Sequence, residues 1–208
     1  MKFKRLENYE TSENTYIVYD ENTLNGIVID PGVKTEEILN SAKEDNIKIK
    51  YVFITHCHYD HIEFMEKLRE QTGAELVCGD KASINIGDPY INLTISGLGY
   101  PLYGKKAEII LKDGEIFELD SIKIECIYTP GHSNCSVCYK IGNEVFCGDT
   151  LFLRNCGRWD LPTGNEEQLI NSVKTKLYTL DDGVKLYPGH GEETTVGYEK
   201  KFNFYIKG

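Results

Sequence analysis

The spacing of apolar residues predicts a pair of strands near the start of the chain. The segments Tyr16–Tyr19 and Gly26–Ile29 are apolar, with the residue types and alternation typical of β-strands. A turn through Asp20, Glu21 and Asn22 separates them. We therefore expect the fold to open with an antiparallel hairpin.

Helical and extended patterns follow in turn. Ile38, Leu39 and Ala42 lie at helical spacing and predict a surface helix over Lys34–Asp45. Ile47–Thr55 is rich in strand-forming residues and ends in a polar loop. Beyond this loop, the helical period resumes at Phe64, Met65 and Leu68. This part of the chain is thus predicted to be helix, strand, polar loop and helix.

The middle of the chain has a weaker pattern. Ala74–Cys78 predicts a short buried strand, and Asp80 is a suitable N-cap for a helix over Lys81–Ile86. Glycines, prolines and scattered aromatic residues occupy Asp88–Gly104. Such a composition predicts a long surface loop close to the functional site.

The second half of the chain repeats the order of the first. Residues 107–148 predict at least four strands, Glu166–Tyr178 a helix, and Val184–Tyr187 a final strand. Hairpins, helices and strands in both halves fit two sheets packed face to face with helices outside. No repeat, low-complexity segment or linker divides the chain, so we expect one domain over residues 1–208.

Composition and charge exclude several classes of function. Lys and Arg total 23 against 33 Asp and Glu, and this net charge of -10 disfavours binding to nucleic acid or to anionic membranes. No apolar run reaches the roughly 18 residues of a membrane span. Seven cysteines, an odd number, favour free thiols in a reducing compartment. We expect a cytoplasmic protein without nucleic-acid or membrane partners.

The histidines carry the strongest chemical signal. The chain contains only five of them: His56, His58, His61, His132 and His190. An extended strand end presents His56 and His58 on one side, while Asp60 and His61 lie where the following helix begins. Clustered imidazoles together with a carboxylate are typical of metal sites.

Three more polar residues follow predicted strands. His132 and His190 each come directly after a Pro-Gly turn, and Asp149 ends an apolar strand. A lone carboxylate in that position is costly unless it pairs with cations. A shared metal ligand at Asp149 removes this cost.

These residues resemble the metallo-β-lactamase superfamily, and within it the glyoxalase II (hydroxyacylglutathione hydrolase) branch. The similarity covers nearly the whole chain. It includes these flanking segments: Asp30-Pro31-Gly32, Thr129-Pro130-Gly131-His132-Ser133, Gly148-Asp149-Thr150-Leu151-Phe152, Gly157-Arg158-Trp159-Asp160-Leu161-Pro162 and Pro188-Gly189-His190-Gly191. The chain is similar to a short form of that branch, because it stops 18 residues after His190, without a C-terminal helical domain.

The resemblance implies an α/β fold, an αββα sandwich of two mixed sheets. It implies two divalent metal ions, with zinc favoured over iron or manganese. The implied ligands are His56, His58 and His132 for one ion, Asp60, His61 and His190 for the other, and Asp149 as the bridge. The implied reaction is hydrolysis of a small-molecule thioester, of the hydroxyacyl-thiol kind, or of a related ester by a metal-bound hydroxide. Asp60 is the catalytic candidate, since it can bind a metal and orient the nucleophile.

Departures from the family pattern leave alternatives open. Asp149 stands where the best-known β-lactamases have Cys, which disfavours β-lactam hydrolysis, and the short C-terminus puts a glutathione pocket in doubt. A mononuclear iron persulfide dioxygenase, which resembles this pattern with the second site empty, is the main alternative. A non-enzymatic scaffold is disfavoured because no ligand position is missing, and a nuclease is disfavoured by the net charge.

Other candidate residues are weaker. Arg158 is placed to recognise a substrate carboxylate, or to be held by Asp160 instead. Tyr59, Tyr100 and Tyr103 are possible substrate contacts. Cys135 and Cys138 form a Cys-x-x-Cys pair inside a predicted strand. Residues three apart in a strand point to opposite faces, so we expect these two cysteines to be core residues and not a shared site.

Overall fold

Fourteen strands and seven helices make up the computed structural model, which describes residues 1–208. The strands, in chain order, are β1 (Lys2–Glu7), β2 (Asn14–Tyr19), β3 (Asn25–Ile29), β4 (Lys48–Phe53), β5 (Glu75–Gly79), β6 (Ile109–Leu111), β7 (Ile116–Leu119), β8 (Ile122–Tyr128), β9 (Val137–Ile141), β10 (Glu144–Gly148), β11 (Leu151–Phe152), β12 (Asn155–Cys156), β13 (Lys185–Pro188) and β14 (Thr194–Thr195). The helices are α1 (Thr35–Glu44), α2 (Tyr59–Ile62), α3 (Met65–Thr72), α4 (Asp80–Asn85), α5 (Thr94–Leu98), α6 (Glu166–Ser172) and α7 (Val196–Phe202). None of these helices combines the length and the apolar character needed to cross a membrane.

The strands form two mixed six-stranded sheets and a small ribbon. The first sheet has the order β1-β2-β3-β4-β5-β6, and the second has the order β14-β13-β10-β9-β8-β7. Parallel pairing occurs from β3 to β6 in the first sheet and between β10 and β13 in the second. The remaining pairs in the two sheets are antiparallel. In open sheets with parallel strands, ligand sites lie outside the carboxyl ends of those strands.

Three apolar layers hold the sandwich together. The middle layer lies between the sheets and includes Tyr16 and Phe53 from the first, with Tyr139 and Phe146 from the second. An outer layer packs the first sheet against α1, α3 and α4. The other outer layer packs the second sheet against α6 and α7. The predicted α/β fold with helices outside two face-to-face sheets is therefore confirmed.

Two buried tyrosines connect the middle layer to the ends of strands. The Tyr139 hydroxyl donates to the carbonyl of Ile54 at 2.8 Å. The Tyr16 hydroxyl donates to the carbonyl of Pro188 at 2.7 Å. Each accepting residue lies two positions before a histidine, so packing between the sheets positions both histidine loops.

Most predicted elements are present. The predicted hairpin is β2 and β3, and the region from 107 to 148 contains five strands. The hairpin is not the first element, because β1 precedes it as an edge strand. The helix predicted to reach Tyr178 leaves α-helical geometry after Ser172 and continues as a π-helical turn over Val173–Leu177.

Three local predictions need correction. Gly79, not Asp80, is the N-cap of α4, and Asp80 is the first residue of that helix. The predicted loop Asp88–Gly104 contains the short helix α5. Cys135 precedes β9 instead of lying within it, although Cys135 and Cys138 do enter different apolar layers.

We expect Gly131→Ala to destabilise the fold strongly. Gly131 has a φ of +144°, and a Cβ there would lie 2.2 Å from the backbone nitrogen of Leu169 in α6. Left-handed strain and overpacking together predict a loss of about 3 kcal/mol in the free energy of unfolding.

Gly114→Ala is the matched control for this prediction. Gly114 has a φ of +78°, but nothing lies within 4 Å of its Cβ position. Backbone strain alone predicts a loss of about 1 kcal/mol. Urea unfolding with chelator present measures both variants, and equal losses would contradict the proposed contact with α6.

Candidate metal centre

The seven predicted ligands come together at one end of the sandwich. His56 and His58 follow β4, and Asp60 and His61 belong to α2 directly after them. The other three residues lie in the loops after β8, β10 and β13, and they are His132, Asp149 and His190. The strand ends thus place side chains that are far apart in sequence into two adjoining groups of ligand atoms, which a third group, His56, His61 and Asp149, connects.

The first group consists of three buried imidazoles. The Nε2 atom of His132 lies 3.2 Å from Nε2 of His56 and 2.9 Å from Nδ1 of His58. Three ring nitrogens this close, on side chains that are almost fully buried, form one face suited to a single cation.

The second group combines a carboxylate with two imidazoles. Oδ2 of Asp60 lies 3.2 Å from Nε2 of His190 and 4.0 Å from Nε2 of His61. Asp60 and His190 are partly exposed, whereas His61 is fully buried. This group therefore faces the solvent more than the first group does.

Asp149 lies between the two groups. Its Oδ1 atom is 3.4 Å from Nε2 of His61, and its Oδ2 atom is 3.5 Å from Nε2 of His132. Oδ2 is also 3.7 Å from Nε2 of His190. The Asp149 carboxylate lies close to imidazoles of both groups and therefore has the arrangement of a bridging ligand.

Hydrogen bonds outside the cluster orient four of the five rings. Nδ1 of His132 donates to the carbonyl of Arg158 at 2.7 Å, and Nδ1 of His190 lies 3.1 Å from the carbonyl of Ser12. Nδ1 of His56 contacts the Thr55 hydroxyl at 3.1 Å. A proton held on the outer nitrogen leaves the lone pair of the inner nitrogen free to bind a metal.

Asp30 orients the fourth ring and is the residue whose role sequence reasoning missed. Its Oδ2 atom lies 3.0 Å from Nδ1 of His61 and accepts from the Thr55 hydroxyl at 2.6 Å. Its Oδ1 atom accepts from the backbone nitrogen of Thr55 at 2.7 Å. The available signal was an ionisable residue directly after an apolar strand, in the Asp30-Pro31-Gly32 turn.

The electrostatics of the cluster favour a cation. Burial opposes a charged His61, but Asp149, Asp60 and Asp30 surround it and raise its pKa well above the usual range. Burial likewise opposes ionisation of Asp149, but His61 and His190 hold the pKa of this carboxyl well below its usual range. The Asp149 carboxylate is therefore ionised and attracts positive charge.

The buried donor atoms fit divalent metal ions. His58 Nε2, His61 Nε2 and Asp149 Oδ1 are buried without a hydrogen-bond partner. Buried polar atoms are normally paired, so three unpaired atoms in one cluster indicate a partner that is not part of the chain. Nitrogen and oxygen ligands suit zinc, iron and manganese alike.

A pocket of about 410 Å³ opens above the cluster. Besides the metal-site residues, its walls are formed by Tyr59, Leu93, Phe152, Cys156, Arg158 and Leu161. Two of the weaker sequence candidates, Tyr59 and Arg158, line this pocket, whereas Tyr100 and Tyr103 do not. Leu93 belongs to the predicted loop Asp88–Gly104, which therefore lies at the site as expected.

The cysteines occupy the core. Cys57 lies between two predicted ligands, but its side chain points away from them and its Sγ atom is 3.5 Å from Sγ of Cys135. Cys138 instead contacts the Thr129 hydroxyl at 3.3 Å in another layer. The Cys-x-x-Cys pair therefore does not form one site, because Cys135 and Cys138 enter different apolar layers.

Comparison with known proteins agrees with this geometry. The family model of the metallo-beta-lactamase superfamily matches residues 9–190. A probable metallo-hydrolase of Streptococcus pyogenes is 33% identical, over 98% of this chain and 89% of that protein. The hydroxyacylglutathione hydrolase GloC of Haemophilus influenzae is 30% identical, over 93% of this chain and 92% of that protein.

Solved structures show the same fold. The BLEG-1 B3 metallo-beta-lactamase superimposes with a TM-score of 0.93 at 27% identity, over 100% of both chains. TTHA1623, solved in a di-iron-bound form, superimposes with a TM-score of 0.84 at 26% identity, over 98% of this chain and 100% of that one. The αββα architecture, the His and Asp cluster and the family match lead to one conclusion: this chain belongs to the metallo-beta-lactamase superfamily.

Proposed function

We propose that this protein is a binuclear metal-dependent hydrolase that cleaves thioesters of the hydroxyacyl-thiol kind or related esters. The observation that carries the proposal is the arrangement of seven nitrogen and oxygen ligands in two groups that share Asp149. One tetrahedral or octahedral site with an open position does not need seven protein ligands. Two ions, with zinc favoured over iron or manganese, account for all of them.

The proposed ligands follow the two groups. His56, His58 and His132 hold one ion, Asp60, His61 and His190 hold the other, and Asp149 bridges them. When bound, two divalent ions lower the pKa of water from 15.7 to about 7 and polarise the substrate carbonyl. Asp60 is the proposed catalytic residue, because its partly exposed carboxylate faces the pocket and can hold a nucleophile in line with that carbonyl.

The pocket favours a leaving group that departs without a proton. All five histidines belong to the metal groups, and four of them are held by outer hydrogen bonds. Burial and the Asp60 carboxylate raise the pKa of the Tyr59 hydroxyl above its usual range, so it is a poor acid. A thiol has a pKa of about 8.5 and leaves readily as a thiolate. A thioester therefore suits this site better than an oxygen ester.

Similar proteins support a thioester substrate and also suggest the competing substrates. The likeness to the hydroxyacylglutathione hydrolase of Haemophilus influenzae favours a thioester, and the likeness to TTHA1623 favours two metals. The likeness to the BLEG-1 B3 metallo-beta-lactamase makes a β-lactam the first competing substrate to test. Oxygenation by a single iron remains the alternative if only one ion binds.

The first prediction concerns metal content. Because the two ligand groups share Asp149, the purified protein should hold about two divalent ions per chain. Elemental analysis against protein concentration measures the ratio before and after reconstitution with zinc, iron or manganese. A ratio that stays near one with excess metal would contradict the binuclear site and favour the single-iron alternative.

The second prediction compares Asp149→Ala with Arg158→Ala. Loss of the bridging carboxylate should lower kcat by orders of magnitude and reduce the metal content. Loss of Arg158 removes at most a binding contact, which raises KM with kcat unchanged. Steady-state kinetics with metal analysis on each variant separate the two effects. Near-normal turnover and metal content in Asp149→Ala would show that its assignment is wrong.

The third prediction concerns pH and the leaving group. With no free acid in the pocket, kcat/KM for a thioester should rise with pH along one limb of apparent pKa about 7 and stay level to about pH 9. The matched oxygen ester and a β-lactam should both react more slowly, because their leaving groups need a proton.

A pH series on a thioester, its oxygen-ester analogue and a β-lactam tests this prediction, with metal content checked at each pH. A descending limb near neutral pH would show that a side chain donates a proton. A faster reaction with the β-lactam than with the thioester would overturn the proposed substrate class.

A further inference from the structure

The pocket above the metal groups has a single cationic side chain. Tyr59, Leu93, Phe152 and Leu161 give it uncharged walls. Arg158 is the only lysine or arginine among the lining residues. Away from the metal groups, an anionic part of a substrate would therefore be recognised at Arg158.

The guanidinium of Arg158 is already paired with the carboxylate of Asp160. Nε of Arg158 donates to Oδ1 of Asp160 at 2.7 Å, and Nη2 donates to Oδ2 at 2.8 Å. This two-point pairing has the geometry with which arginine recognises a carboxylate. The hydrogen bonds from the Arg158 guanidinium lower the pKa of Asp160 to about 2, so the Asp160 carboxylate is ionised at neutral pH.

The segment that carries this pair is anchored to the metal centre. The carbonyl of Arg158 accepts from Nδ1 of His132 at 2.7 Å. The preceding residue, Gly157, packs so tightly that a Cβ there would lie 1.9 Å from the carbonyl oxygen of Asp149. Arg158 is thus held at the pocket wall with Asp160 paired to it, and the backbone at Gly157 and Arg158 is anchored to the metal centre.

No neighbouring cation replaces Arg158. Arg154 is close in sequence, but its Nε atom donates to the Tyr198 hydroxyl at 2.7 Å. Its guanidinium also lies over the rings of Tyr198 and Phe204, at 5.5 and 5.9 Å from their centroids. A substrate carboxylate would meet either the paired Arg158 or the negative charge of Asp160.

We propose that Asp160 is a specificity-determining residue that neutralises Arg158, so that the enzyme prefers thioesters of uncharged thiols over thioesters of carboxylate-bearing thiols. The inference rests on the proposed thioester hydrolysis and narrows its substrate class. A thiol portion that carries a carboxylate must displace Asp160 from Arg158 or lie beside the negative charge of Asp160. A neutral thiol portion needs only to pack against the apolar walls. Removal of the Asp160 charge frees Arg158 to bind a carboxylate.

Two thioesters of equal size test this preference. Both carry the same 2-hydroxypropanoyl group, on 3-mercaptopropionamide in one case and on 3-mercaptopropionate in the other. The ratio of kcat/KM for the carboxylate over the amide is measured for the wild type and for Asp160→Asn. Freeing a two-point arginine contact should raise this ratio about tenfold in Asp160→Asn. Asp160→Glu, which keeps the charge, should stay near the wild-type ratio.

Asp182→Asn is the matched control. Asp182 is as exposed as Asp160, with 66% against 63% of the side chain accessible, and pairs with Lys200 at 2.6 Å. Its partner Lys200 does not line the pocket, whereas Arg158, the partner of Asp160, does. The substitution removes the same charge from the protein, so the ratio should change less than about twofold. An equal rise in both variants would show a general charge effect and overturn the role of Asp160.

Binding of the two free thiols to the zinc-loaded protein gives the same comparison without turnover. Calorimetry should show tighter binding of 3-mercaptopropionamide to the wild type, and a shift toward 3-mercaptopropionate in Asp160→Asn. If the protein hydrolyses neither thioester, the proposed function is contradicted. The ratio of the binding affinities of the two free thiols would still test the inference. A wild-type preference for the carboxylate, or an unchanged ratio in Asp160→Asn, would overturn the inference.

Discussion

The buried carboxylate of Asp30 is the interaction on which the site depends most. It accepts from the backbone and the hydroxyl of Thr55 and contacts the His61 ring, which joins the end of β3 to the end of β4 and to α2. The Thr55 hydroxyl in turn contacts the ring of His56. One carboxylate thus orients rings in both ligand groups, and its cost of burial is offset because both of its oxygens have hydrogen-bond partners.

The sheet packing supplies the rest of the positioning. Tyr139 and Tyr16 span the middle layer and hold the carbonyls just before His56 and His190. Their rings are buried among the inner faces of both sheets, so the two ligand loops are held by the core itself. A metal site built on strand ends in this way can keep its geometry while the pocket above it varies.

The pocket has a different character from the cluster below it. The cluster contains ionised carboxylates that attract cations, whereas the walls above it are mostly apolar and contain one cation, Arg158, which is paired with Asp160. This contrast suggests a division between catalysis by the cluster and substrate selection by the pocket walls. In our proposals the metal groups supply the chemistry, and Arg158 with Asp160 sets the preference for the charge of the substrate.

The sequence alone determined the type of site and most of the elements that carry it. Apolar periodicity located β2, β4 and α1, and the spacing of His56, His58, Asp60 and His61 indicated metal chemistry before any fold was known. Only the tertiary structure showed that Asp30 contacts the ring of His61, 31 residues away, and that the carbonyl of Arg158 accepts a hydrogen bond from the ring of His132. The local sequence pattern indicates residue type and periodicity. A hydrogen bond between strand ends that are distant in sequence depends on how the packed sheets place those strand ends relative to each other. The edge strand β1 and the N-cap at Gly79 were missed for the same reason, since strand pairing and packing decide them.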